Sequence, residues 1–317
     1  MQTTQIKRYY APASTGNLSV GFDLLGAAFE PVDGSLLGDV LEIHGEAATL
    51  SLTMSGRYVH QLPSSDTDNL VTQAFYAFEQ ALGKPLPRLA LHLQKNLPVG
   101  SGLGSSACSI VVAFYAFNEF FGKPFSPAAL LQLMAVAEGG VSGSVHYDNV
   151  APSYLGGLQL MLPDSPKICR SLPWFADWQV VLSYPGTVLS TKAARAVLPK
   201  QLTLAHSIQF AGALSRFVSA LYSEDQSDAA AALQDLVAEP ARLALLPELL
   251  PLRTALTEQG VLHLGISGAG PTLFAVCNGP AAAERAARYL DDHYAKNQDA
   301  LTVVCRLATT GARALEE

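Results

Sequence analysis

The chain has 317 residues, of which 49% are hydrophobic and 15% charged, and its formal net charge is -7. This composition is typical of a compact globular protein of about two domains, and it fits neither a disordered chain nor a coiled coil. The negative charge argues against nucleic-acid binding, and the apolar runs are shorter than the roughly 18 residues of a membrane span. With no signal-peptide core at the N-terminus, a cytoplasmic protein is expected. The four scattered cysteines predict neither zinc nor disulfides.

The N-terminal half alternates predicted strands with predicted helices. Residues 11–26 are mostly small and carry one charge, Asp23, so this stretch can approach a ligand closely. Apolar periodicity predicts a helix that Asp66 or Asp68 caps and that ends at Leu82, and a second helix at 128–138 that stops at two glycines. A short strand-like segment is predicted before residue 11, and further strands are predicted at 39–44, 49–54, 89–93 and 157–162.

A glycine-rich loop at 96–109 lies between a predicted strand and an apolar helix. Gly100, Gly102 and Gly104 permit positive φ and leave the backbone N-H groups accessible, and the helix N-terminus adds a favourable dipole. Serine hydroxyls in the same loop suit phosphate oxygens or Mg2+. The pattern predicts an anion site, although a plain glycine turn before a core helix is the alternative.

Polar residues concentrate in the loop 142–152, and the proline-rich stretch 163–174 marks the predicted domain boundary. Beyond it, strands are predicted at 179–184, 261–266, 272–277 and 301–307, and helices at 191–197, 205–222, 229–246, 248–258 and 281–294. Without the helical insert the order is βαββαβ, the ferredoxin-like arrangement. A second glycine-rich turn, 265–271, joins its two central strands.

Residues 102–107 also satisfy the dinucleotide fingerprint G-x-G-x-x-G/A, so an NAD-dependent oxidoreductase is an alternative. In that fold the glycines follow the strand directly and an acidic residue ends the next strand. Here residues 96–98 intervene, and the nearest acidic residue, Glu119, falls inside a helical pattern. No Gly-Lys-Ser/Thr follows at Walker A spacing either, so another type of nucleoside triphosphate site fits better.

Three stretches, 12–23, 98–107 and 265–272, resemble in order and spacing the three signature motifs of the GHMP kinase superfamily. Within it, 146–152, 190–195 and 239–242 resemble the homoserine kinase family. The resemblance implies an α+β GHMP kinase fold, with an ATP-binding domain of the ribosomal protein S5 domain 2-like type at 1–165. A ferredoxin-like domain with a helical insert follows at 166–317. It also implies ATP and Mg2+ as cofactors, a homodimer, and phosphorylation of L-homoserine to O-phospho-L-homoserine for threonine biosynthesis.

The resemblance assigns roles to individual residues. Its ATP-binding set comprises Asn69, Pro98, Val99, Gly100, Ser101, Gly102, Leu103, Gly104, Ser105, Ser106, Ala107 and Cys108. Asn69 would contact the adenine, and a helix cap is an equally good interpretation of it. Ser106 and Glu138 would hold Mg2+, although a lone glutamate before two glycines is more often a solvated helix end.

For the amino-acid acceptor, Asp23 suits the ammonium, and Arg195 and Arg242 suit the carboxylate. Asn17 and Asn149 match positions near the reacting hydroxyl. The catalytic set implied by the resemblance is Asn149, Glu138 and Asp148, where Asp148 either accepts a proton or leaves catalysis to transition-state stabilisation. His146 is expected to orient its neighbours. Gly16 replaces an alanine that is common in the superfamily, and this change is expected to be neutral.

Three other functions stay open at this point. The nearest is a GHMP-type kinase that acts on another small alcohol, which would not need two arginines set against Asp23. A nicotinamide-dependent oxidoreductase belongs to a different reaction class. A nucleotide-binding protein without catalysis is the third, and Glu138, Ser106 and Asn149 argue against it.

Overall fold

The computed structural model describes residues 6–316, which form one five-stranded and one eight-stranded sheet with helices packed against them. The strands are β1 (Lys7–Pro12), β2 (Ser14–Gly16), β3 (Leu25–Pro31), β4 (Gly38–Ala47), β5 (Ser51–Ser55), β6 (Arg88–Gln94), β7 (Leu158–Met161), β8 (Cys169–Leu172), β9 (Trp178–Tyr184), β10 (Val261–Ile266), β11 (Leu273–Asn278), β12 (Leu301–Leu307) and β13 (Arg313–Leu315). The helices are α1 (Leu70–Leu82), α2 (Ser105–Phe120), α3 (Pro127–Ser142), α4 (Val150–Leu155), α5 (Thr191–Ala196), α6 (Leu204–Tyr222), α7 (Gln226–Ala232), α8 (Glu239–Arg242), α9 (Leu249–Glu258) and α10 (Pro280–Tyr294).

The smaller sheet has the strand order β13-β1-β4-β6-β5, in which only the β5 and β6 pair is parallel. Helix α2 packs on β1 and β4 and contacts α1, α3 and α4. Its apolar sequence is explained by this position, because neighbours cover it on several sides. Phe75 of α1 meets Phe117 of α2 edge to face, with ring centroids 5.4 Å apart. The core therefore fixes where α2 begins, at the end of the glycine-rich loop.

The larger sheet confirms the ferredoxin-like arrangement. Strands β9, β10, β11 and β12 lie in the order β10-β11-β9-β12, and all their pairings are antiparallel. The sheet continues from β12 through β3 and β7 to β8. Strand β8, which follows the predicted boundary at 165, pairs with β7, and β13 pairs with β1. The division into 1–165 and 166–317 stays a prediction, and the two halves share both sheets.

Each predicted strand is present within a few residues, but two helix ends differ from the prediction. Asn69 rather than Asp66 or Asp68 caps α1, because its side-chain oxygen accepts the Val71 N-H at 2.9 Å. Helix α3 continues past Glu138 through both glycines to Ser142 and is capped by Gly143, which has a φ of 91°. Glu138 is therefore an interior helix residue.

The predicted helix at 229–246 is wrong as a continuous element. It is divided into α7, α8 and a 3-10 turn at Leu243–Leu245. The Asp235 carboxylate accepts the backbone N-H groups of Val237 and Ala238, and Pro240 stands in the first turn of α8. Proline is tolerated there but would break a longer helix, so the alanine-rich run ends early. Strands β2, β3, β8 and β13 and helix α4 were not predicted. Among residues 6–316, no helix has the length and hydropathy needed to cross a membrane.

Candidate active site

The glycine-rich loop connects β6 to α2 and takes the backbone shape that its sequence predicts. Gly100, Gly102 and Gly104 have φ values of 62°, 85° and 64°, in the left-handed region that favours glycine. Gly104 is the cap residue of α2, so the first free N-H groups of this helix follow directly. The loop thus presents backbone donors and a helix N-terminus at one place, as an anion site requires.

The second glycine-rich turn, between β10 and β11, packs directly on this loop. Ser267 Oγ donates to the Gly102 carbonyl at 2.6 Å, and the Thr272 N-H donates to the Ser101 carbonyl at 3.0 Å. A Cβ atom on Gly102 would collide with the Ser267 carbonyl and lie 2.9 Å from the Gly270 carbonyl. The C-terminal half of the chain therefore supports the loop from behind, which the separate motifs did not reveal.

A buried ion pair lies beneath the loop. Lys95 Nζ is 2.6 Å from Asp39 Oδ2, and the two side chains are only 1% and 0% exposed. The ammonium also donates to the Ser105 carbonyl at 3.1 Å and to Ser109 Oγ at 2.8 Å. Asp39 Oδ1 accepts the backbone N-H groups of the two residues after Lys95, at 3.0 and 3.3 Å. The pair joins β4, the loop and the first turn of α2, and sequence analysis missed it.

Ser106 and Glu138 meet across α2 and α3. Ser106 Oγ donates to Glu138 Oε1 at 2.7 Å. Burial raises the pKa of Glu138 to about 7, although the hydrogen bond from Ser106 lowers it. A buried carboxylate next to a hydroxyl offers hard oxygen ligands, and its anionic form needs a cation nearby.

Asn69 lies in the same cleft with its amide already engaged. Its oxygen caps α1, and its nitrogen donates to Met54 Sδ at 3.2 Å. The helix-cap interpretation is therefore correct, and a contact to adenine stays a prediction. Pro63, Leu70 and Val99 also line this part of the cleft.

Asp148 and Asn149 precede α4 and pack against β2. Ser14 Oγ donates to Asn149 Oδ1 at 3.1 Å. A Cβ atom on Gly16 would collide with the Asp148 carboxylate and lie 2.7 Å from Asn149 Nδ2. The glycine therefore makes room for both side chains, and alanine would not fit at this position unless they moved. Burial, followed by the charge of Asp23, raises the pKa of Asp148 to about 7.

Asp23 belongs to the acceptor loop, which we define as residues 17–24 between β2 and β3. Arg195 Nη2 donates to Asp23 Oδ1 at 3.1 Å, and His146 Nδ1 is 3.6 Å from Asp23 Oδ2. Burial lowers the pKa of His146, with a smaller opposing effect from Asp23. Arg195 was predicted as a carboxylate ligand, and in this structure it pairs with Asp23 across the two halves of the chain.

Arg242 and Asn17 both donate hydrogen bonds to the Gly268 carbonyl. Arg242 Nη1 and Asn17 Nδ2 donate to it at 2.8 and 3.0 Å, and Arg242 Nε donates to the Ala194 carbonyl at 3.2 Å. Arg242 is 2% exposed, and burial lowers the pKa of its guanidinium. Its Nη2 group makes no hydrogen bond within residues 6–316, so this donor is available to an anion in the cleft.

All these elements border one cleft with a volume of about 340 Å³. Most of the predicted site residues line it; Asp23, Pro98, Leu103, Ala107 and Cys108 do not. The side chains of the last three are buried in the core, so only their backbone groups are available. Asp23 is connected to the cleft by its contacts with Arg195 and His146, which do line it. The described residues contain no cluster of three or more His, Cys, Asp or Glu side chains that could hold a metal ion.

Comparison with known proteins agrees with this geometry. Residues 69–157 match the family model for the GHMP kinases N terminal domain, and residues 217–296 match the model for GHMP kinases C terminal. Together the two matches cover more than half of the chain. The chain belongs to the GHMP kinases.

Solved structures support the same fold over the whole chain. This GHMP kinase is 29% identical to the homoserine kinase from Cytophaga hutchinsonii, with a TM-score of 0.87 and 99% of each chain covered. The mevalonate kinase from Methanococcus jannaschii is 12% identical, with a TM-score of 0.71 and 96% and 99% of the two chains covered. At the lower identity the likeness concerns the fold alone. The family assignment removes the oxidoreductase alternative.

GHMP kinases use ATP, generally with Mg2+. The residues present fit such an ion, because Ser106 Oγ and the buried Glu138 carboxylate are adjacent oxygen ligands. Mg2+ is usually held by one or two protein ligands together with phosphate oxygens, so a larger carboxylate cluster is not needed. Besides Lys95 and Asp39, sequence analysis missed Phe22 and Thr191, which line the cleft. The sequence nevertheless offers one indication for Lys95, because it is the lone charged residue between a predicted strand and the glycine-rich loop.

Proposed function

We propose that this chain is a homoserine kinase, which transfers the γ-phosphoryl group of ATP to the hydroxyl of L-homoserine in the cytoplasm and so supplies O-phospho-L-homoserine for threonine biosynthesis. The observation that carries the proposal is the ion pair between Asp23 and Arg195, because Arg195 lines the cleft together with the buried Arg242. Among small alcohols, a zwitterionic amino acid has the charges that complement these groups, because its ammonium can pair with Asp23 and its carboxylate with the two arginines. The likeness to the Cytophaga hutchinsonii enzyme supports it.

The ion pair suggests how the site selects a zwitterion. Asp23 and Arg195 are both partly buried and neutralise each other before an acceptor binds. An incoming ammonium can replace Arg195 at Asp23, while the acceptor carboxylate binds the released Arg195 and Nη2 of Arg242. A ligand with one charge would break the pair and leave the other partner uncompensated, which is costly away from water. Alcohols without both charges should therefore be poor acceptors.

Phosphoryl transfer then depends mainly on position and on charge. The hydroxyl oxygen of the acceptor forms a bond to the γ-phosphorus while the bond from this phosphorus to the bridging oxygen breaks. The N-H groups of the glycine-rich loop and of the α2 N-terminus bind phosphate oxygens, and Asn149 orients the hydroxyl. Mg2+ held by Ser106 and Glu138 would neutralise phosphate charge. Asp148 Oδ2 accepts the hydroxyl proton, for which its pKa of about 7 is suited.

Asp148→Asn should make the unliganded protein more stable and less active. Because burial raises the pKa of Asp148, the folded state keeps a proton that the unfolded state loses between about pH 4 and pH 7, so this carboxyl destabilises the fold as the pH rises. The variant should gain about 1–3 kcal/mol over wild type at pH 8 and nothing at pH 4 by urea unfolding. Its kcat should fall at least about a hundredfold.

Two results would contradict this account of Asp148. A kcat within tenfold of wild type would leave catalysis to electrostatic stabilisation alone. A stability gain that is equal at pH 4 and pH 8 would mean that the carboxyl is not held protonated. Asp228→Asn is the control, because Asp228 is exposed and Arg216 lowers its pKa, so no gain at pH 8 is expected.

The test of the proposed function is ADP release from MgATP with purified protein and a panel of acceptors: L-homoserine, L-serine, mevalonate, galactose and shikimate. We expect kcat/KM for L-homoserine to exceed all others by at least about a hundredfold, which corresponds to about 2.7 kcal/mol of transition-state binding. An equal or better value for another acceptor would overturn the substrate assignment and leave a GHMP kinase of a different alcohol.

A further inference from the structure

The acceptor loop has an unusual backbone. Asn17, Leu18 and Ser19 are consecutive non-glycine residues with φ values of 70°, 42° and 58°, and Asp23 has a φ of 56°. L-residues disfavour this left-handed region, and several such residues persist only where surrounding contacts hold them. The contacts that hold this loop therefore also determine where the Asp23 carboxylate lies.

Hydrogen bonds inside the loop connect Asp23 to its beginning. The Asp23 N-H donates to Asn17 Oδ1 at 2.9 Å, the Gly21 N-H donates to the Asn17 carbonyl at 2.9 Å, and the Asn17 N-H donates to the Leu25 carbonyl at 2.7 Å. These bonds make 17–25 one unit. They do not by themselves attach the unit to the rest of the protein.

Strand β10 attaches this unit through a side chain that the proposed reaction does not use. His263 Nε2 lies 2.8 Å from Ser19 Oγ, and Ser19 is 2% exposed. The β10 and β11 pairing has a register irregularity between Val261 and His263, of the kind that re-aims a side chain. Burial lowers the pKa of His263 to about 3, so the ring is neutral at physiological pH. Gly265 leaves space for the pair, since a Cβ there would lie 2.7 Å from His263 Nε2.

Strand β10 also supports Arg242, the buried cation of the acceptor site. Arg253 Nε donates to the Leu264 carbonyl at 2.8 Å, and its Nη1 donates to Glu239 Oε1 at 2.7 Å. Glu239 begins α8, the short helix that carries Arg242. Strand β10 thus connects to Asp23 through His263 and Ser19, and to Arg242 through Arg253 and Glu239.

We propose that His263 is a positioning residue for the acceptor: its hydrogen bond to Ser19 holds residues 17–24 in the observed conformation, with its left-handed residues, and so sets the Asp23 carboxylate against Arg195. Its effect on acceptor affinity rests on the proposed function. Its effect on the loop does not, because the hydrogen bond acts in the free protein.

The experiment compares Ser19→Ala, His263→Phe and His263→Gln with wild type in two measurements. Hydrogen-deuterium exchange of the amides in 17–25 reports the loop, and steady-state kinetics with L-homoserine and ATP report the site. Ser183→Ala is the matched control, because Ser183 is a fully buried serine of the same sheet, bonded to Thr302 Oγ1 at 3.0 Å, and does not line the cleft.

We expect Ser19→Ala and His263→Phe to speed exchange in 17–25 at least tenfold and to raise KM for homoserine at least fivefold, with KM for ATP within twofold. The double variant Ser19→Ala/His263→Phe should be no worse than the poorer of the two single variants, since both single changes remove the same hydrogen bond. In His263→Gln, whose amide can still bond Ser19, the exchange rate of 17–25 and KM for homoserine should both stay within threefold of wild type. Ser183→Ala should change neither measurement.

Exchange in 17–25 within twofold of wild type in both Ser19→Ala and His263→Phe would overturn the proposal. So would equal increases in KM for ATP and homoserine together with faster exchange outside residues 17–25 as well, because this is the result of a general structural defect. If wild type does not phosphorylate homoserine, the proposed function fails, and the exchange measurement still decides the role of His263.

Discussion

Replacing Lys95 by methionine is expected to destabilise the protein by about 3–5 kcal/mol, because the variant leaves the Asp39 carboxylate buried without its cation. The carboxylate would keep the N-H groups of Asn96 and Leu97 and the Ser109 hydroxyl, but these do not neutralise it. The free energy of unfolding, measured with urea at pH 7.5, tests this expectation. Because the pair fixes the glycine-rich loop to α2, KM for ATP should rise as well.

Lys296→Met provides the control for this prediction. Lys296 also pairs with a carboxylate, Glu248, at 2.7 Å, but both side chains are exposed. Exposed pairs contribute about 0–1 kcal/mol, so the control should be close to wild type. Asp39→Asn combined with Lys95→Met should be more stable than Lys95→Met alone, since no uncompensated charge is then buried. Equal losses in the free energy of unfolding of Lys95→Met and Lys296→Met would show that the buried pair stabilises the fold no more than the exposed one.

Arg195→Ala and Arg242→Ala should each reduce kcat/KM for L-homoserine by at least about 30-fold, or ~2 kcal/mol. In each variant the acceptor carboxylate loses a charged partner in a site that is partly closed to water. The measurement is the ADP-release assay, run in parallel with L-homoserinol, which has the ammonium and the hydroxyl but no carboxylate. Its kcat/KM should fall by less than about threefold in either variant, because the lost carboxylate interaction is one that it never makes. In Arg195→Ala it should rise, because the ammonium then binds Asp23 without breaking an ion pair.

Arg216→Ala is the matched control for the arginine variants. Arg216 forms an ion pair with Asp228 on the surface, away from the cleft. Its removal should leave kcat/KM unchanged with both acceptors. Values at wild-type level in both Arg195→Ala and Arg242→Ala would contradict the assignment of the acceptor. Equal losses with homoserine and homoserinol would instead indicate damage to the fold.

The glycine-rich loop illustrates how much of the site the sequence predicts. Its three glycines adopt positive φ at the start of a buried helix, as their spacing predicts. Local chemistry is sufficient there, because the conformation is a property of residues that follow one another. The same reasoning misjudged the end of α3 at two glycines, since packing of α3 against α2 and α4 outweighs a local preference.

The pairings among charged residues were less predictable. Asp23 and Arg195 are far apart in the chain and were assigned to different charges of one ligand, yet in the structure they bind each other. Asp39 lies in β4 and Lys95 directly follows β6, and no local pattern shows that these two residues pair with each other. The sequence does not show that Gly16 makes room for Asp148 and Asn149, because these residues are far from it in the chain.

The sequence by itself determined most of the strands, the ferredoxin-like order, the glycine-rich loop and most of the predicted residues that line one cleft, because these depend on periodicity and on motifs that are contiguous in the chain. Only the tertiary structure decided which charges are paired before a ligand binds, which glycines have no room for a side chain, and that β10 supports the acceptor loop through His263. Such contacts join residues separated by many positions, and their free energies depend on burial, which a linear pattern does not specify.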